Sequence, residues 1–266
     1  MQLNNFRFPS LKKVSGLVFI FWCAVALTFA QAQTPDGNTR PKHIFMAGNS
    51  TMANKPYRGS NPEKGWGQVL GLYFNEQVKV ENHAVNGQSS KSFIDEGKWD
   101  NLLQQVQEGD YVIIEFGHND EKKENPSRYA APDGAYRQNL KRFVSDVRTK
   151  GGIPVLATPI VRRRFDESGQ FYDTHGRYPD VVREVAAEEE VPLLDLHRKT
   201  RELLIQYGAE RSRLLFLHIQ SGEYPSLPEG KEDDTHLSGT GAFRICDLAV
   251  EEMKSSLPEL YKYLKR

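Results

Sequence analysis

Cysteine is almost absent from this chain of 266 residues: Cys23 and Cys246 are the whole supply. Cys23 lies in an N-terminal stretch expected to be removed, so Cys246 is left alone and an intrachain disulfide is excluded from the mature protein. An excess of charge is also missing, because 35 basic residues face 35 acidic ones. That balance argues against a nucleic-acid partner, which would need a basic surface. Three familiar signatures are lacking as well. No G-x-S-x-G elbow occurs, which speaks against an α/β-hydrolase, and neither G-x-G-x-x-G nor a P-loop occurs, which speaks against a nucleotide site. There is no internal repeat and no low-complexity tract.

One long apolar run is present. Arg7, Lys12 and Lys13 precede the stretch from Gly16 to Leu27, and Ala30-Gln31-Ala32 follows with small residues at the spacing a signal peptidase reads. The run falls short of the roughly 20 apolar residues of a membrane span. Bulky Phe21 and Trp22 before Cys23 disfavour a lipoprotein. The expectation is a signal peptide over 1–32, a single domain over 33–266, and export to the periplasm or the extracellular space without stable membrane insertion after cleavage. An uncleaved anchor is the alternative. Loss of Arg7, Lys12 and Lys13 leaves 32 basic residues against 35 acidic, a net charge of about −3.

The remaining chain alternates short β-branched or aromatic runs with helical periodicity. Strands are predicted at Ile44–Ala47, Val78–Asn82, Tyr111–Phe116, Ile153–Thr158 and Val191–Leu196. Between them, Trp99, Leu102, Leu103 and Val106 share a helical face, as do Tyr136, Leu140, Phe143, Val144 and Val147. Ala242, Ile245, Cys246, Ala249, Val250 and Met253 form a third such face, which makes Cys246 core filling. Five strands separated by helices imply a parallel sheet covered on both faces. Residues 160–178 and 218–235 break the alternation and are expected to be long loops.

Open α/β sheets bind ligands beyond the carboxyl ends of their strands. Gly48-Asn49-Ser50 leaves the first predicted strand, Asn86-Gly87 follows the second, and Gly117-His118-Asn119-Asp120 follows the third. A serine nucleophile needs a base, which a histidine held by a carboxylate supplies. Among seven histidines, His236 has Asp233 three residues upstream, whereas His175 and His218 have no carboxylate at that spacing. Acyl transfer also needs donors for an oxyanion. Gly87 and Ser50 offer backbone N–H groups, and Asn119 offers a side-chain amide. Singly, each feature has a structural explanation as a helix cap, a turn or an Asx turn. Their joint occurrence at successive strand ends favours chemistry.

Ser50, Gly87, Asn119 and His236 resemble, in order, the four blocks of the SGNH (GDSL-type) hydrolases. Gly48-Asn49-Ser50-Thr51-Met52-Ala53 is similar to the GDSTMA block of the rhamnogalacturonan acetylesterases, and Asn82-His83-Ala84-Val85-Asn86-Gly87-Gln88-Ser89-Ser90-Lys91-Ser92-Phe93 to their second block. Phe116–Asp120 and Asp233–Ser238 complete the set. The resemblance implies a flavodoxin-like three-layer α/β/α sandwich with a five-stranded parallel sheet. It implies Ser50 as nucleophile, His236 as base and then acid, Asp233 as its orienting group, and an oxyanion hole from Ser50, Gly87 and Asn119. No metal or cofactor is implied. The one departure is Asn49, where the family motif carries Asp.

The expected function is an exported carbohydrate esterase releasing acetyl groups from a plant cell-wall polysaccharide, foremost pectic rhamnogalacturonan. Arg162, Arg163 and Arg164 are candidates to meet galacturonate carboxylates. Alternatives are an esterase for another acetylated glycan such as xylan or for small acyl esters, transfer of the acyl group to a sugar hydroxyl, and a non-catalytic glycan-binding relative.

Overall fold

Along the first strand, β1 (Lys42–Gly48), neighbouring side chains enter different cores: Ile44 and Met46 one, Phe45 and Ala47 the other. This two-residue alternation sets the sheet in the middle of three layers. The computed structural model describes residues 40–57 and 60–265, so the expected signal segment over 1–32 lies outside the described residues. β1 is joined by β2 (Val78–Asn82), β3 (Tyr111–Glu115), β4 (Ile153–Ala157) and β5 (Leu193–Leu194). All pairings among them are parallel, in the order β2-β1-β3-β4-β5. That is the flavodoxin-like order, whose switch point lies between β1 and β3.

Eight α-helices are described: α1 (Trp66–Val69), α2 (Ser90–Asp95), α3 (Lys98–Leu103), α4 (Arg137–Thr149), α5 (Tyr178–Glu188), α6 (Leu196–Arg211), α7 (Gly239–Ser256) and α8 (Pro258–Tyr261). Trp66 of α1, Leu204 of α6 and Ala242, Cys246 and Met253 of α7 pack on the Ile44/Met46 face. Phe93 of α2, Trp99 of α3, Leu140 and Phe143 of α4 and Val181 of α5 pack on the Phe45/Ala47 face. The Cys246 thiol is buried, which pushes its ionisation well up, and it donates to the Trp66 carbonyl at 3.0 Å. No helix among the described residues is long and apolar enough to cross a membrane.

Two expectations need correction. The fifth strand is only Leu193–Leu194, because Pro192 has no N–H to give the ladder and Asp195 already caps α6 through Arg198 N–H. Residues 218–235 are not simply a loop. Phe216–Ile219 (β6) and Lys231–Leu237 (β7) pair antiparallel outside the main sheet. In contrast, 160–177 carries no helix or ladder beyond a Phe165–Phe171 bridge, and Tyr178 already opens α5.

Candidate active site

Asn49 ends β1 in a tight turn, its carbonyl accepting from Met52 and Ala53 N–H at 3.2 and 3.0 Å. Its side chain is fully buried, and Oδ1 accepts from Thr51 N–H at 3.1 Å and lies 3.0 Å from Thr51 Oγ1. Asn therefore keeps the acceptor role that an Asx turn requires. Beneath the turn, Thr51 Oγ1 also sits 2.9 Å from Oε1 of buried Glu115, whose Oε2 accepts from Trp66 Nε1 at 2.7 Å. The Thr51 hydroxyl has one hydrogen and two acceptors before it. Both contacts are hydrogen bonds only when Glu115 carries a proton, donates to Oγ1, and leaves the hydroxyl hydrogen for Asn49. Burial acts in the same sense, pushing Glu115 up to about 7 against the stabilisation that Thr51 and Trp66 would give its ionised form.

The turn presents Ser50 to the β6–β7 hairpin. Leu217 pairs with Asp233 while its neighbour Phe216 pairs with Leu237, so Asp234-Thr235-His236 forms a bulge in β7. Such bulges re-aim side chains. Here the bulge closes on an Asx turn, with Asp233 Oδ1 accepting from Thr235 and His236 N–H at 2.8 and 2.9 Å. His236 Nδ1 meets Asp233 Oδ2 at 2.8 Å, and His236 Nε2 meets Ser50 Oγ at 3.0 Å. Partial burial would raise the Asp233 ionisation, but bonds from the His236 ring and backbone outweigh it and hold the carboxyl far below its ordinary range. Lys231 Nζ adds a contact to Oδ2 at 3.0 Å.

The candidate donors line one cleft with the Ser50–His236 pair, a space of about 530 Å³ lined by Ser50, Gly87, Asn119 and His236 among others. Gly87 has φ +77°, a left-handed conformation natural to glycine. Neither the Ser50 nor the Gly87 N–H donates to an acceptor among the described residues. Asn119 Nδ2 spends one hydrogen on the Gln88 carbonyl at 2.9 Å, which fixes the amide and leaves its second hydrogen uncommitted. Asp120, fully buried and pushed up to about 7 by burial, ties this strand-end to α2 by accepting from Ser90 and Gly117 N–H at 2.9 and 3.0 Å. The arrangement can take a proton from a hydroxyl and offer three N–H donors to developing negative charge.

The arginine triplet is not brought together at the cleft. Arg162 lines it, but is paired with Glu121 and donates to the His118 carbonyl. Arg163 is anchored by Asp234 and the Ala209 carbonyl, and Arg164 also binds Asp234; neither lines the cleft. Sequence reasoning passed over Lys122 and Arg128, which do line it, and Lys231 behind Asp233. Lys231 and Asp233 are two apart on a strand and so share a face, a signal hidden while the segment reads as loop. His118 also borders the cleft; burial, then the nearby His175 and Arg162, hold its imidazole neutral, and neither ring nitrogen has a partner among the described residues. Among those residues no group of three or more His, Cys, Asp or Glu is placed to hold a metal ion.

The model of the GDSL-like lipase/acylhydrolase family matches residues 46–242. The chain is 42% identical to the rhamnogalacturonan acetylesterase RhgT of Bacillus subtilis, over 80% of this chain and 89% of that one. It is 34% identical to a probable rhamnogalacturonan acetylesterase, YesY, of the same organism, over 80% of this chain and 92% of that one. The crystal structure of B. subtilis YxiM superposes with a TM-score of 0.66 at 25% identity, over 80% of this chain and 56% of that one, so this chain spans about half of YxiM.

Proposed function

The chain belongs to the GDSL-like lipase/acylhydrolase family, and from that premise we propose that it is an acetylesterase acting on plant cell-wall rhamnogalacturonan. The observation that carries this reading is the line from Ser50 Oγ through His236 to Asp233, at 3.0 and 2.8 Å, facing uncommitted N–H donors. The two curated relatives above, matched over most of their lengths, support this substrate class.

Ser50 Oγ attacks the acetyl carbonyl carbon while its proton passes to His236 Nε2. The carbonyl π electrons move to oxygen, and that oxyanion takes hydrogen bonds from Ser50 N–H, Gly87 N–H and the Asn119 amide. Loss of one such donor typically costs about 2.7–4 kcal/mol of transition-state stabilisation. Collapse breaks the bond to the sugar oxygen, which leaves with the His236 proton. Water then gives a proton to His236 and attacks the acetyl-serine, and collapse releases acetate as Ser50 regains its proton. Asp233 holds the ring tautomer and supports the imidazolium in both halves. Export belongs to the same reading and rests on the basic, apolar and small-residue order of residues 1–32; N-terminal sequencing of the exported protein should begin at Gln33.

The test is acetate release from acetylated rhamnogalacturonan, acetylated xylan and a small chromogenic acetate, with Ser50→Ala in parallel. The account expects rhamnogalacturonan to be preferred and the variant to lose at least about a thousandfold in kcat. Preference for xylan or for the small ester alone would remove the substrate assignment and leave the esterase. An equally active Ser50→Ala protein would remove the mechanism.

A further inference from the structure

The charges around the cleft do not cancel. Glu63 is held by Lys55 at 2.7 Å, Asp233 by His236 and Lys231 at 2.8 and 3.0 Å, and Arg162 by Glu121. Lys122 and Arg128 remain, both on the segment after β3, both half-buried and both lining the cleft. No carboxylate among the described residues lies within ion-pair distance of either. Glu96 acts on Arg128 only at longer range, and is itself bonded to Lys98 and to Gln88 Nε2. Arg128 is also placed against the reaction centre: a methyl group on Gly87 would come within 3.1 Å of its Nη2. Glycine there leaves room for the guanidinium beside the uncommitted Gly87 N–H.

We infer that Arg128 and Lys122 form a carboxylate-binding subsite that seats a uronate ring of the substrate next to the scissile acetyl group. This rests on the proposed esterase reading and adds the means by which an acidic glycan is told from a neutral one. A guanidinium takes a carboxylate through two parallel N–H bonds, whereas an ammonium acts as a point charge. Arg128 therefore sets the orientation and Lys122 strengthens the field. Two unmatched cations in a confined cleft also raise the encounter rate with a polyanion, an effect that salt weakens.

The experiment compares kcat/KM on one acetylated rhamnogalacturonan oligosaccharide in its free-acid form and its methyl-esterified form. Parent, Arg128→Gln and Lys122→Gln proteins are assayed at low and high salt. A parallel arm measures inhibition of small-acetate hydrolysis by galacturonate and by methyl galacturonate. The parent is expected to favour the acid form at least about tenfold, the Arg128→Gln protein to lose most of that ratio, and the Lys122→Gln protein part of it. A ratio within one enzyme separates carboxylate recognition from a general loss of folding, which lowers both rates. Equal rates on the two forms in the parent, or an Arg128→Gln protein that keeps the parental ratio, would overturn the inference. If neither oligosaccharide reacts while the small acetate does, the polysaccharide reading fails. The inhibition arm then decides the subsite alone: galacturonate preferred in the parent and not in Arg128→Gln supports it, and equal inhibition overturns it.

Discussion

Asn49 shows how much one side chain behind a proposed nucleophile can be asked to do. Its Oδ1 serves the Thr51 N–H and hydroxyl, while its Nδ2 is buried without a partner among the described residues. Replacement by Asp removes that stranded donor, but sets a carboxylate across the Thr51 hydroxyl from Glu115. Glu115 then keeps its proton more firmly, since two neighbouring carboxylates resist joint ionisation. Asn49→Asp should change kcat by less than about tenfold, 1.4 kcal/mol, in steady-state assays with a small ester. Lys231 acts on the other side of the site. Its Nζ contacts Asp233 Oδ2, the same oxygen that takes the His236 ring. Lys231→Met should lower kcat/KM on a small ester by up to about tenfold through a looser Asp233, and an unchanged value would show that this lysine does not position the carboxylate.

At the scale of elements, the hairpin rather than the sheet distinguishes what could be read from what could not. The central strands were legible because Ile44–Ala47, Tyr111–Phe116 and Ile153–Thr158 are apolar on both faces, as strands between two helical layers must be. Lys231-Glu232-Asp233-Asp234 carries no such pattern; it becomes a strand only by pairing with Phe216–Ile219, a contact invisible along the chain. The Asp-x-x-His spacing was visible, and so was its pairing within one turn, but not the β-bulge that aims it. The arginine triplet illustrates the opposite failure. Its charge was conspicuous in sequence, yet local acids Glu121 and Asp234 absorb it. The junction of this hairpin with α7 is tight, because a Cβ on Gly241 would lie 1.9 Å from the Leu215 carbonyl oxygen. Gly241→Ala should therefore push α7 from the start of β6 and cost on the order of 1–3 kcal/mol in denaturant unfolding. Activity should fall with it, since His236 lies between the two elements.

For the whole molecule, the buried acids make a distinctive pH dependence. Glu115 and Asp120 rise from ordinary values of 4.5 and 3.8 to about 7. Over that interval the folded protein retains protons that the unfolded chain has released, so stability falls as pH rises from about 4.5 to 7 and levels beyond. A shift of that size corresponds to on the order of 3 kcal/mol for Glu115. Asp233 and Asp173, held low by their histidines against the opposing effect of burial, act in the other direction, but their contribution is lost only below about 4. Glu115→Gln should flatten the decline in melting temperature between pH 4.5 and 7. The central claim, however, is chemical: Ser50 carries the acetyl group between sugar and water. Rapid quenching of the parent with excess acetylated substrate, followed by peptide mass analysis, should find one acetyl group on the peptide containing Ser50 and none in Ser50→Ala. Deacetylated sugar released in a burst ahead of acetate with no acetyl on Ser50, or acetate released at an undiminished rate from Ser50→Ala, would contradict it.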